Sequence, residues 1–174
     1  DGGGYCRDKL IVLTTSTDGS IENNIKDASP EQQIKTFRFI AHELAHLWWL
    51  KAESTSWEDW LNESFAEYSS LMATRDFYGE KEFLRLINLY KEKTLNLPAV
   101  RGIDRSDQDA FNVLYAKGPT LLYQLEIMIG AVAFKELLNN IHMKKINNTL
   151  DFLDELTLLT SKDTSKKFSK LLDL

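Results

Sequence analysis

Apolar positions along this chain recur mostly at helical intervals. Between residues 30 and 48 they fall at Ile34, Phe37, Ala41, Leu44, Ala45 and Trp48, steps of three and four that predict a helix with that face buried. Its start is well marked: Ser29 reads as the N-cap, Pro30 as the first helical residue, and Gln32 completes a capping box. A second helix is predicted from about Leu61 to Tyr78, closed by Gly79, and a third from about Glu80 to Lys93, ahead of Pro98. The charged stretch Arg101 to Asp109 has no period and reads as a loop. Helix returns from about Lys117 to Ile129, is broken by Gly130, and resumes from Ala131 to Met143, with Thr149 and Asp163 as N-caps of two short final helices. Only Lys9 to Thr14 (KLIVLT) reads as a strand, between the glycine-rich Asp1 to Tyr5 and the polar, turn-like Asp18 to Asp27. The pattern predicts an α+β fold that is predominantly α-helical, with a small β portion at the N-terminus. No repeat or linker divides residues 1–174, so a single domain is expected.

Composition narrows the function classes. At 174 residues with 43% apolar content, the chain can bury a core of its own. A net charge of −5 repels phosphate backbones and argues against nucleic-acid binding. The apolar run Ile127 to Phe134 is far too short to cross a bilayer, so no membrane insertion is expected. The single cysteine, Cys6, excludes an internal disulfide and a cysteine-based zinc site. Because Asp1 opens the chain without an initiator methionine, a fragment of a longer multidomain protein is expected.

The candidate chemistry lies in Phe39 to Leu50, FIAHELAHLWWL, where His42, Glu43 and His46 form H-E-x-x-H. Positions four apart share a helix face, so both imidazoles can reach one cation, with Glu43 beside them to deprotonate a water there. Two histidines leave zinc under-ligated, and a third protein ligand is needed. The metzincin pattern fails, because Trp49 and Ala52 stand where it requires glycine and histidine. Glu53 sits roughly on the same face, but a continuing helix would carry it about 10 Å along the axis, out of reach. Glu58, Asp59, Glu63 and Glu67 remain. Glu63 is favoured because it lies in the first turn of the next helix, which can pack antiparallel on the first. Glu67, one turn further, reads equally well as an acceptor for a ligand histidine N–H or as a solvated carboxylate.

HELAHLWW, WLNESFAEY and LYAKGPTLLYQLEIMIG together resemble the gluzincin zinc aminopeptidase family of the alanyl aminopeptidase and leukotriene hydrolase type, from Gly2 to about Phe168. The resemblance implies a thermolysin-like metallopeptidase catalytic domain that binds one Zn2+ per chain. It implies His42, His46 and Glu63 as zinc ligands, Glu43 as the general base that activates a zinc-bound water, and Tyr115 as the phenol that stabilises the oxyanion. A peptide substrate is implied, cleaved in aminopeptidase fashion, and flanking domains of the same protein would complete the site.

The spacing from His46 to Glu63 is two residues shorter than is usual in that family, a loss that the loop between Leu50 and Trp57 can absorb. The family's Gly-x-Met-Glu-Asn segment corresponds here to Gly2 to Arg7, where Gly3, Gly4 and Tyr5 are the candidate substrate-binding residues. Its glycine-rich backbone can pair with an extended peptide, but it carries no acid to meet a free α-amine. Glu53, Glu67, Asp104, Asp107 and Asp109 are candidate substitutes. The alternatives to an aminopeptidase are therefore an endopeptidase or a non-catalytic, zinc-braced peptide-binding module.

Overall fold

The computed structural model describes residues 4–7, 10–13 and 28–174. Strands β1 (Gly4–Arg7) and β2 (Leu10–Leu13) pair antiparallel, with Gly4 opposite Leu13 and Arg7 opposite Leu10. Lys9, Thr14, Asp18 to Asp27 and Gly3 lie outside the described residues. The main elements of the described remainder are helices, joined by loops: α1 (Pro30–Ala45), α2 (Trp60–Tyr78), α3 (Glu80–Lys93), α4 (Gly118–Ile129), α5 (Ala131–Lys144), α6 (Thr149–Leu159) and α7 (Lys162–Leu172).

Helix α1 starts as its sequence dictates. Ser29 Oγ accepts from Gln32 N (3.3 Å) and Gln32 Oε1 accepts from Ser29 N (3.1 Å), a reciprocal box that satisfies two otherwise orphaned donors. Its inward face differs from the predicted stripe. His42, Glu43, Ala45 and His46 are buried, whereas Leu44 and Trp48 are exposed. The predicted stripe is turned inward only in part: Ala45 is buried and Ile34, Phe37 and Ala41 are half-buried, and the polar residues beside Ala45 share the inward face.

Helix α2 is buried almost all round, as expected of a central helix: Trp60, Leu61, Phe65, Ala66, Tyr68 and Leu71 all lie in the core. It touches α1, α3 and α4. At its start Trp60 packs on Phe65 (5.4 Å) and edge-on to Phe152 (5.5 Å), and its indole N–H donates to Thr149 Oγ1 (2.7 Å). Glu58 Oε2 accepts from Thr149 N (2.8 Å) and Oγ1 (2.6 Å), which ties the start of α6 to the turn before α2.

The predicted helix start at Lys117 is displaced. Helical backbone begins at Ala110–Asn112, widens into a π-helical turn at Val113–Lys117, and becomes α4 at Gly118. The close passage of α4 over α2 depends on Gly118, where a Cβ would overlap Ser64 Oγ and lie 2.6 Å from Ser64 Cβ. The N-caps of α6 and α7 are Asn148 and Ser161 rather than Thr149 and Asp163. Asn148 Oδ1 accepts from Asp151 N (2.9 Å) and Ser161 Oγ from Thr164 N (3.1 Å). Both starts lie in runs of cap-competent residues, so sequence places them only to within a residue or two.

Candidate metal centre

Helices α1 and α2 meet antiparallel, since Arg38 faces Glu67 while His46 faces Glu63. At their crossing, one ligand atom each from His42, His46 and Glu63 lies within 4.8 Å of the others. Glu63 Oε2 is 3.4 Å from His42 Nε2 and 3.4 Å from His46 Nε2. A tetrahedral ion with ligand bonds of about 2.1 Å has edges of about 3.4 Å, so this spacing fits zinc. The same Oε2 is buried and accepts no hydrogen bond, an orphaned acceptor whose burial is costly unless a cation meets it.

Both imidazoles are held by their other nitrogen. His46 Nδ1 lies 2.9 Å from the Trp49 carbonyl, which can only accept, so Nδ1 donates there and Nε2 is the nitrogen turned toward Glu63. His42 Nδ1 lies 2.8 Å from Glu67 Oε2 in the same sense. Glu67 thus accepts from His42, and the solvated reading is excluded, because its side chain is buried.

Charge follows the geometry. Burial works against protonation of His42, but Glu63 and Glu67 outweigh it and push the imidazole up to about 9. His46 is raised in the same way, chiefly by Glu63. Burial would raise Glu63, yet the two imidazoles hold its carboxyl well below the usual carboxylate range. These groups behave as a site built for positive charge.

Glu43 is buried on the same helix, with Oε2 free of any hydrogen bond, and burial raises its carboxyl toward the proton-accepting range. Tyr115 projects from the π-helical turn, its ring nearly parallel to His42 (5.5 Å, 20°) and to Phe111 (4.5 Å, 16°). Burial and the Glu63 charge raise its phenol, so it stays a neutral donor. Such a wide turn, common at functional sites, presents Tyr115 to the cluster; the motif marked the residue but not the turn. On α2, Asn62 donates to the Ala52 carbonyl and accepts from Ala52 N (both 3.1 Å), clamping the preceding loop just before Glu63.

The remaining candidate acids do not join the cluster. Glu53 accepts from Thr55, Asp104 from Ser106, and Asp107 from Asp109 N, all within their own loops. Glu58 caps α6, and Asp59 is held by Asn62 (2.8 Å) and Arg105 (3.2 Å). Gly4 and Tyr5 lie in β1.

A sequence model of the Peptidase family M1 domain matches residues 11–172. Aminopeptidase N of Lactococcus lactis subsp. lactis is 34% identical over 157 residues, covering 79% of this chain and 18% of that protein. Endoplasmic reticulum aminopeptidase 2 of Homo sapiens is 28% identical over 138 residues, covering 71% and 14%. The M1 zinc metallopeptidase from Deinococcus radiodurans superposes with a TM-score of 0.67 at 22% identity, over 78% of this chain and 32% of that one, a likeness of fold. The chain spans less than a fifth of the length of these two curated relatives.

Proposed function

Because the chain belongs to peptidase family M1, we propose that it forms the catalytic core of a zinc-dependent peptidase of aminopeptidase type. The observation that carries this is the convergence of His42, His46 and the unpartnered Glu63 Oε2 at the α1–α2 crossing. His42, His46 and Glu63 would hold Zn2+, which supplies Lewis acidity toward the scissile carbonyl and toward water. Glu43 takes a proton from the attacking water and returns it to the departing amine nitrogen. Tyr115, a neutral phenol, donates to the carbonyl oxygen as negative charge develops there.

Two finer readings belong to the same proposal. The paired segment β1–β2 would form the edge of a thermolysin-like β portion, with Gly4 and Tyr5 offering backbone to an extended peptide by strand addition. Residues 1–174 act as one catalytic domain, with flanking domains of the longer protein closing the site. The aminopeptidase names of the relatives favour a substrate with a free N-terminus.

The test joins zinc stoichiometry of the full chain to hydrolysis of aminoacyl anilides and of N-blocked quenched peptides. One zinc per chain and cleavage of the free-amine substrates are expected. Glu43→Gln should keep the metal and lose about 10²- to 10⁴-fold in turnover. Sub-stoichiometric zinc in the parent, or a variant that keeps its turnover, would overturn the assignment.

A further inference from the structure

Arg38, His42 and His46 stand four apart on α1, and Glu63 and Glu67 stand four apart on α2. Because the helices run antiparallel, the five side chains interleave as a ladder: Arg38, Glu67, His42, Glu63, His46. Tyr90 of α3 joins at the outer end. Its hydroxyl donates to Glu67 Oε1, the oxygen that Arg38 Nη2 also bonds, and the Arg38 guanidinium lies 5.4 Å over the Tyr90 ring. Two donors on Oε1 leave Oε2 to His42 Nδ1 alone.

We propose that Arg38 and Tyr90 are positioning residues for the metal site: they lock the Glu67 carboxylate, which holds His42 in the Nδ1–H tautomer with Nε2 turned to the cation. The inference rests on the zinc reading above and extends it outward by one layer of side chains. A glutamate is a flexible group, and fixing it costs rotamer freedom. With Arg38 and Tyr90 in place, that ordering is complete before metal arrives. Without them, Glu67 must be ordered by the metal-binding step itself, and zinc affinity falls.

The test is a zinc titration of the full chain against a chromophoric chelator, for the parent, Arg38→Met, Arg38→Lys and Tyr90→Phe. Melting of each metal-free protein and the visible spectrum of each Co2+-loaded protein accompany it. Arg38→Met is expected to weaken zinc binding by about 10-fold, the low end for partners of ligand histidines, and to shift the cobalt bands. Tyr90→Phe should weaken it less, and Arg38→Lys should recover part of the loss, since a point charge reaches Glu67 without the planar fork. A mere brace between helices would lower metal-free melting and leave zinc affinity at the parent value in every variant, and that result overturns the proposal. If Arg38→Met does not fold, Arg38→Lys and Tyr90→Phe decide by the same criterion. A parent that fails to bind zinc sinks the zinc reading itself, whereas a parent that binds no better than its variants sinks only this inference.

Discussion

Gly118→Ala tests how the Tyr115 segment is held against α2. The added Cβ would overlap Ser64 Oγ and stand 2.6 Å from Ser64 Cβ, where carbon contacts need about 3.5 to 4 Å. Ser64 Oγ could rotate aside, but only by giving up its 2.7 Å bond to the buried Leu114 carbonyl, and its Cβ has no such freedom. Overpacking costs about 1 to 3 kcal/mol, and a stranded buried carbonyl about 1 to 3 more. Alanine's better helix propensity returns at most about 1 kcal/mol. A net loss of about 2 to 4 kcal/mol should lower Tm by on the order of 10 °C in a chain of this size. Thermal melting of the parent, Gly118→Ala and the double variant with Ser64→Gly measures it, and the double variant should recover part of the loss. Melting of Gly118→Ala at the parent temperature would refute the steric argument.

Tyr115→Phe removes the phenol and leaves the stacking on His42 and Phe111. Turnover should fall about 10²- to 10³-fold with zinc content unchanged, as measured by steady-state kinetics beside metal analysis. Unaltered turnover would take Tyr115 out of the chemistry. Lys145 ends α5 with φ 54°, left-handed backbone that a lysine adopts at a cost. Lys145→Gly should raise stability by about 0.5 to 1 kcal/mol, read as a higher melting temperature. An unchanged or lower one would show that the side chain repays its strain.

Local signals were the most legible. The capping box at Ser29 and Gln32 and the i, i+4 pair His42 and His46 are each written within one turn or two of a single helix, so spacing alone finds them. Glu63 was harder, because its place depends on how α2 crosses α1, and Glu67 offers the same chemistry one turn away. The structure separates them: Glu63 Oε2 faces both Nε2 atoms, while Glu67 faces Nδ1 of His42. Arg38 carried a usable signal, standing four residues before His42. Tyr90 carried none, since it arrives from another helix. The exposed Leu44 and Trp48 show the limit of the apolar stripe, which reports amphipathicity but not which face a polar cluster will claim.

The wide turn at Val113–Lys117 stores the aim of the phenol as a residue count. Each residue advances a helix by about 100°. The wide turn closes one revolution over one residue more than an α-turn does, so excising Ala116 and tightening the turn to α geometry would leave the flanking helix in register and rotate only the residues inside the turn. Tyr115, inside the turn, would be re-aimed relative to the cluster while α4 kept its packing on α2, although every side chain of the cluster remained in the sequence. Surface loops of this fold can drift in length; here a single deletion would disarm the site without touching a functional group.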